Sequence, residues 1–575
     1  MKIKHFFGLA VIAAMAASCS SNEDLGTAGP GTGTNETGVG YATFTINLPS
    51  TSGTRADGDP TFDKGDANEY DVFNATLLVF EKGSADSKEG DYTLAETVDL
   101  GSMEPWKNSS ETGVTTQAKI TAKLPNVDKS GDYFALVLLN NSSSTEDAKV
   151  TLPSKGDKFS AWNVAAKANP DKFTDTKKGF YMANAPLYNA TDKSVTTLVA
   201  INKNKIFPTE AQASSGKAAA DIYVERGLAK VTLTAATKDK KTVDASSSYV
   251  GDEVTISNWA LDVTNKKTFP IHNVDGLSKE YADIWNNDAP ATAAPSTPST
   301  QRFVDNSKAI AKRVYWGIDP NYDNKDVDKT ALKAEFNYVA NANVKEDPAK
   351  PLYCLENTFN LDNMKQGQTT RVVFKGTYTP KSITPDANGT FYKIGKNVAL
   401  WNSDNLKDHI KAAVSKVISV TTTDDININL AATDNDITAA GNHVIKASNI
   451  TVTGHEVTEA EVKAVNDKVG LTEKAGISTY ANGESYYIAR IKHFGDALTP
   501  WKSGEAYNNE NLKYLGRYGM LRNNWYELEV NSVSGPGYPD VPEVKPNTPD
   551  DEDDKYIKVS VKILDWAKRS QKVDL

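Results

Sequence analysis

The chain has 575 residues, 39% hydrophobic and 24% charged, with 64 basic against 74 acidic side chains and a net charge of −10. That length can bury several cores, and the composition is that of ordinary globular protein. The acidic balance, without a long basic patch, argues against nucleic acid as a partner, and 2 cysteines exclude an internal disulfide framework.

Lys2 and Lys4 precede a short apolar run, Phe6 to Ala17, and then Ala16-Ala17-Ser18-Cys19. A basic start, a short apolar core and small residues make a secretory signal peptide over 1–18. The run is too short for a permanent membrane span. Ser20 to Gly40 is a Ser/Gly/Thr/Asn tether. Tyr41 to Pro49 then alternates, with Ala42, Phe44, Ile46 and Leu48 on one face and Thr43, Thr45 and Asn47 on the other. This is the period-2 pattern of a strand. The polar loop Ser50 to Pro60 is expected to be exposed and easily cut, and Arg55 is its only basic residue.

Val72–Glu81 and Tyr133–Asn140 read as buried strands, Lys119–Leu124 as an alternating one, and 185–202 as strand material with turns. Ile222–Thr234 reads as one strand bent at Gly227, with a domain boundary just before it, near residue 220. Val254–Thr264, Thr268–His272, Arg371–Tyr378, Tyr486–Phe494 and Trp525–Val530 continue the β pattern, and Ala289–Thr300 is a Pro/Ala-rich loop. Leu406, Ile410, Ala413, Val414 and Val417 have helical spacing. Thr458 to Glu461 forms a capping box ahead of Val462, Val465 and Val469. These two helices bracket a Thr/Asn-rich insertion near 400–480. Pro536, Pro539, Pro542, Pro546 and Pro549 lead into the acidic run Asp550 to Asp554, a stiff and solvated leash over 536–555. Its ~20 residues, extended at about 3.1 Å each, would reach ~60 Å. The chain closes on a second alternating strand, Ile557, Val559, Val561 and Ile563 against Lys558, Ser560 and Lys562.

Motifs for zinc proteases, redox dithiols, nucleophile elbows and P-loops are missing from the sequence. Cys354, within Leu352-Tyr353-Cys354-Leu355, reads as a buried small hydrophobe. His443 and His455 read as surface residues. Asp319, Asn321 and Asp323 have the spacing of a calcium loop, but Asn324 and Thr330 stand where Gly and Glu are needed, so a solvated acidic loop is expected. A glycosidase carboxylate pair is set by space and not by sequence spacing, so that alternative stays open. No enzyme activity, cofactor or metal is expected.

Several stretches together resemble the Bacteroidetes fimbrillins, most closely the short-fimbria branch in Porphyromonas. They are the lipobox-like residues before Cys19, Gly53-Thr54-Arg55-Ala56-Asp57-Gly58, Val224 to Lys230, Leu355 to Thr358, Arg522 to Tyr526, and Val559 to Leu575. The resemblance implies an all-β fold with minor helices: two transthyretin-like β-sandwich domains at 56–220 and 221–535, with a C-terminal donor strand at 556–575. It also implies lipidation of Cys19, cleavage between Arg55 and Ala56 by an Arg-specific protease, and release of the strand in 41–55. Polymerisation by strand exchange would follow, with Ile557, Val559, Val561 and Ile563 as donor residues. The partners implied are other copies, related anchor and tip subunits, and the outer membrane through the precursor's lipid. The destination is an extracellular fimbrium. A tip or accessory adhesin, a surface glycan-binding lipoprotein that does not polymerise, and an exported hydrolase are the competing readings.

Overall fold

The computed structural model describes residues 31–48, 69, 71–101, 117–127, 130–141, 148–174, 178–189, 194–274, 312–314, 316–317, 319–321, 329–358, 363–420, 422–472, 475–494, 499–502, 504–507, 514–549 and, as backbone, 557–564. It is mostly β, with a minority of helix. The first sheet is built from β1 (Gly40–Asn47), β2 (Ala75–Glu81), β3 (Thr93–Gly101), β4 (Gln117–Leu124), β5 (Tyr133–Leu139), β6 (Met182–Asn184) and β7 (Ala220–Arg226). Their order across the sheet is β3-β2-β5-β6-β7-β1-β4, with Val199–Ala200 paired onto β5. The sheet rolls on itself, so that β2 and β5 face β1 and β4. Leu77, Val79, Val137 and Leu139 pack with Phe44, Ile46, Ala122 and Leu124 in one core. The opposite faces of β2 and β5 present Leu78, Phe80, Leu136 and Leu138 to a second cluster that includes Leu228, Ile271 and Leu355.

The following strands are β8 (Ala229–Leu233), β9 (Glu253–Asp262), β10 (Leu352–Cys354), β11 (Arg371–Thr379), β12 (Phe391–Ile394), β13 (Ile426–Ile428), β14 (Ile450–Val452), β15 (Ile477–Tyr480), β16 (Glu484–Arg490), β17 (Trp525–Val533) and β18 (Ile557–Leu564). One sheet runs β10-β8-β17-β18, and another runs β9-β11-β16 with Lys241–Thr242 on its edge. Val231, Leu528 and Val530 from the first of these meet Val254, Val372 and Phe374 from the second in a sandwich core. Ile222–Thr234 is not one bent strand. It is two strands in two different sheets, and Gly227 and Leu228 are the crossing. A Cβ at Gly227 would meet the Tyr181 ring at 2.9 Å, so a side chain there would push the two sheets apart. The expected strand at Thr268–His272 shrinks to Lys267–Thr268.

Most of the 400–480 stretch gathers around one hydrophobic cluster, which also takes in Tyr392 and Ile394 of β12. The helix expected from Leu406 is α2 (Ser403–Val417), and the capping-box helix is α3 (Glu459–Val469), taking α1 as the short helix Glu210–Ser215. Thr458 and Glu461 make the reciprocal capping bonds anticipated from their spacing. Leu406, Ile410 and Val414 of α2 and Val465 and Val469 of α3 close over Ile426, Ile428, Ile450 and Val452.

The Pro-rich segment departs from expectation. It is not a solvated leash through residue 549. Tyr487 Oη donates to Gly535 O at 3.0 Å and Tyr480 Oη to Gly537 O at 3.0 Å. Tyr486 and Tyr538 pair both ways through their backbones at 2.8 Å. Arg371 Nη2 donates to Pro542 O at 2.8 Å, and Val544 is buried with Val263, Leu332 and Phe336. Gly537 has φ 65°, and a Cβ there would lie 2.5 Å from Tyr486 O, so only glycine fits this path. A Pro-rich chain lacks donors, and the body supplies them from tyrosine hydroxyls and an arginine. The acidic run 550–554 and the loop 289–300 lie outside the described residues.

Candidate functional site

β1 is the element on which the functional reading turns. It lies inside the first sheet, antiparallel to β4 and parallel to β7. Ala42, Phe44 and Ile46 are fully buried and Leu48 nearly so, as the alternation predicts. The polar face is buried too. Thr43 is 1% exposed and Thr45 8%, because α1 covers them. Thr43 Oγ1 donates to Ala213 O at 2.9 Å and meets Thr121 Oγ1 at 2.7 Å. Lys119 Nζ reaches Gly216 O at 2.8 Å from the neighbouring strand, holding α1 down. A strand bonded on both sides and covered on both faces is a poor candidate for casual fraying. Removing it would leave two unpaired strand edges and a groove shaped for alternating apolar side chains.

The candidate lipidation residue Cys19 and the candidate cleavage pair Arg55 and Ala56 lie outside the described residues. Glu69, which follows that loop in sequence, is fully buried. Lys230 Nζ lies 2.6 Å from its carboxylate, Tyr353 Oη donates to it at 2.7 Å, and Arg226 Nε donates to its backbone carbonyl at 2.8 Å. The Lys230 ammonium also sits 4.0 Å over the Trp525 ring. Trp525 belongs to β17, yet it packs into the core that holds Phe44 of β1. One cluster thus ties the chain downstream of Arg55 to both sheets.

β18 runs antiparallel along β17 at the edge of its sheet. Ile557, Val559, Val561 and Ile563 stand in register with Val533, Val530, Leu528 and Tyr526, all buried residues of the sandwich core. The C-terminal strand is therefore docked on its own chain. Among the described residues it is paired through one edge, whereas β1 is paired through two.

A second buried cluster lies where the sheets meet. The His272 imidazole lies between Glu225 of β7, at 2.9 Å from Nδ1, and Glu356, at 3.1 Å from Nε2. Arg313 pairs with Glu225 at 3.2 Å and Arg522 with Glu356 at 3.0 Å. Burial alone would push the imidazole down, but Glu356 and Glu225 outweigh it and hold it up at about 9. Burial would raise Glu356, and His272 and Arg522 instead hold it down at about 2. Asp319 is not part of a solvated acidic loop. It is buried, accepts from Asn321 N at 2.7 Å and Thr358 N at 3.1 Å, bonds the Asn265 amide, and is pushed up to about 8 chiefly by burial. Asp323 lies outside the described residues. Among the described residues no group of three or more His, Cys, Asp or Glu converges as a metal requires.

Sequence reasoning passed over this cluster and Glu69. The available signal was Glu225, Arg226 and Lys230 interrupting an apolar strand pattern, since charged residues at inward positions are rarely buried unless paired. Cys354 is buried as expected, and burial pushes its thiol up to about 12, away from nucleophilic use. His443 and His455 lie on the inserted unit, His443 bonding Ala439 O at 2.9 Å and His455 beside Glu461 at 2.9 Å.

Residues 478–572 match the family model described as major fimbrial subunit protein type IV, fimbrillin, C-terminal. The match spans β15 to β18, so it takes in both the docked C-terminal strand and its host β17. It supports placing the chain with the fimbrillins on the strength of its C-terminal region. No curated protein matches the chain significantly. A solved structure from Parabacteroides distasonis ATCC 8503, provisionally described as a cell adhesion protein, aligns over 92% of this chain and 98% of that one. At 9% identity and a TM-score of 0.36 the likeness is too loose to build on. Among the described residues no helix is long and apolar enough to cross a membrane.

Proposed function

We propose that the chain is a structural stalk subunit of a cell-surface fimbria, exported as a lipoprotein through Cys19 and matured by an Arg-specific protease between Arg55 and Ala56. The finer placement, with the short-fimbria major subunits of Porphyromonas, rests on the sequence resemblance. The observation that supports the reading is the position of β1, an N-terminal strand paired on both edges and buried in the first core. Cleavage separates β1 from the chain that begins at Ala56 and is anchored at Glu69. The groove is then refilled by a neighbour's Ile557, Val559, Val561 and Ile563 through β-strand addition. Four such side chains contribute roughly 6–12 kcal/mol gross on burial, at ~1.5–3 each. The contact is head-to-tail and does not close, so copies add into a filament. Two sandwich domains changing over at Gly227 belong to this proposal.

The pinned Pro-rich segment changes the reach of the donor. Thr548 O accepts from Gln366 N at 2.9 Å and Pro549 is bridged to Lys365, so seven residues, 550–556, separate this anchor from β18. Fully extended at about 3.3–3.6 Å per residue, they would cover ~25 Å at most, instead of ~60 Å. The subunits must therefore abut closely, or the segment must peel off as the strand is donated.

The unprocessed protein should be monomeric by size exclusion. Cleavage at Arg55 should give polymers, and removing 556–575 should abolish them. Monomers persisting after clean cleavage would overturn the reading and favour the non-polymerising surface lipoprotein.

A further inference from the structure

We propose that the inserted unit carries a binding groove for neutral oligosaccharides. A cavity of about 1140 Å³ opens between the loop Thr384–Thr390, the first turn of α2 and the outer face of β13 and β14. Its floor includes the buried side chains of Tyr392, Ile428 and Leu430. Amides and hydroxyls make up about half of its lining, beside Asp386, Asp404, Lys407 and small apolar residues.

The charges in the groove exclude most ligand classes. Asp404 pairs with Lys407 at 3.6 Å. Asp386 accepts from Ser403 N at 2.9 Å and bonds the Tyr392 hydroxyl, so its capacity is largely spent. No cationic excess awaits a polyanion, and no set of free carboxylates awaits a divalent cation. The apolar residues form the floor and are already packed, which leaves no pocket for the anchors of an amphipathic peptide.

What remains is unspent polar capacity. Asn427 and Thr451 stand directly opposite each other on β13 and β14 and are exposed to the groove. Their side chains, and that of Asn482, have no hydrogen-bond partner among the described residues. Asn482 is held in the left-handed region at φ 56°, with its backbone N–H bonded to Thr390 Oγ1 at 2.9 Å. With Gly483 at φ 73° it forms the left-handed Asn-Gly turn joining β15 to β16, a backbone that asparagine adopts readily, and the turn places it at the groove rim. Planar amides and hydroxyls that both donate and accept suit a ligand of many hydroxyls and no charge. The groove offers no exposed aromatic face for stacking, so a single site binds weakly. Copies repeated along a filament, if the reading above holds, would turn weak sites into avid attachment.

The test uses the unprocessed full-length monomer, so its outcome is independent of polymerisation. It is applied to an array of neutral, sialylated and sulfated oligosaccharides, and the best neutral glycan is titrated by ligand-observed NMR. Neutral glycans are expected to bind. Asn427→Ala combined with Thr451→Ala should weaken binding about tenfold, the loss of one or two hydrogen bonds. Asn482→Gly should weaken it similarly while keeping the backbone in its left-handed conformation. Circular dichroism identical to the parent shows that the variants fold. No neutral glycan bound, charged glycans alone bound, or affinity unchanged in both variants would each overturn the proposal.

Discussion

At the residue scale, two buried charged clusters join the sheets. Each sets a measurable property. His272 is held at about 9 against an ordinary 6.5, so its contribution to stability is complete below about 6.5 and lost as pH rises through 9. Asp319, raised from 3.8 to about 8, loses its contribution in the same direction up to that pH. The melting temperature of the unprocessed chain should therefore fall steadily between pH 6.5 and 9. A flat or rising profile across that window would contradict the pairing of His272 with Glu225 and Glu356. Lys230→Ala should strand the buried Glu69 carboxylate and cost about 3–5 kcal/mol in chemical denaturation, as breaking a buried pair does. Neither cluster was legible as a cluster. Glu69, Lys230 and Tyr353 are far apart in sequence, and only the fold brings them within 2.6–2.7 Å. Asp319 was misjudged because local spacing cannot tell a solvated carboxylate from one that Asn265 and Thr358 enclose from elsewhere in the chain.

At the scale of elements, period-2 alternation located β1, β4 and β18, and helical spacing with a capping box located α2 and α3. It failed where tertiary context decides. The run through Gly227 looks like one strand because both halves are apolar, and nothing local announces that they serve different sheets. The Pro-rich segment looks solvated because its composition is poor in packing groups, yet its partners are tyrosines supplied by β15 and β16. Two predictions belong here. Phe44→Ala opens a hole in the first core and should destabilise the unprocessed chain by about 3–5 kcal/mol. If β1 is discarded on maturation, polymers grown from that variant should be as stable as the parent's, by melting of purified filaments. Filaments weakened as much as the precursor would mean that β1 stays in the assembled subunit. Thr458→Ala removes one side of the α3 cap and should cost about 1 kcal/mol, with melting of the inserted unit as the readout.

For the whole molecule, the two terminal strands are held unequally. β1 has partners on both edges and cover on both faces, while β18 lies at a sheet edge with β17 alone. The proposed exchange uses that asymmetry. In that proposal a proteolytic cut frees the well-held strand, and the one held at a single edge replaces it. Glu69 keeps the downstream side of the cut attached to both sheets, so cleavage should release β1 without loosening the rest. The all-β class and the pair of alternating terminal strands were readable from sequence. The docked position of β18 was not, because an alternating strand fits its own sheet edge and a neighbour's groove equally well. The most direct measurement is a photo-cross-link from a benzophenone amino acid placed at Val561. In the unprocessed monomer it should mark peptide 525–533 of its own chain. In polymers it should instead mark 117–124 or 220–226 of a neighbouring copy, the strands that flank β1. A probe that still marks its own 525–533 after polymerisation would contradict strand exchange.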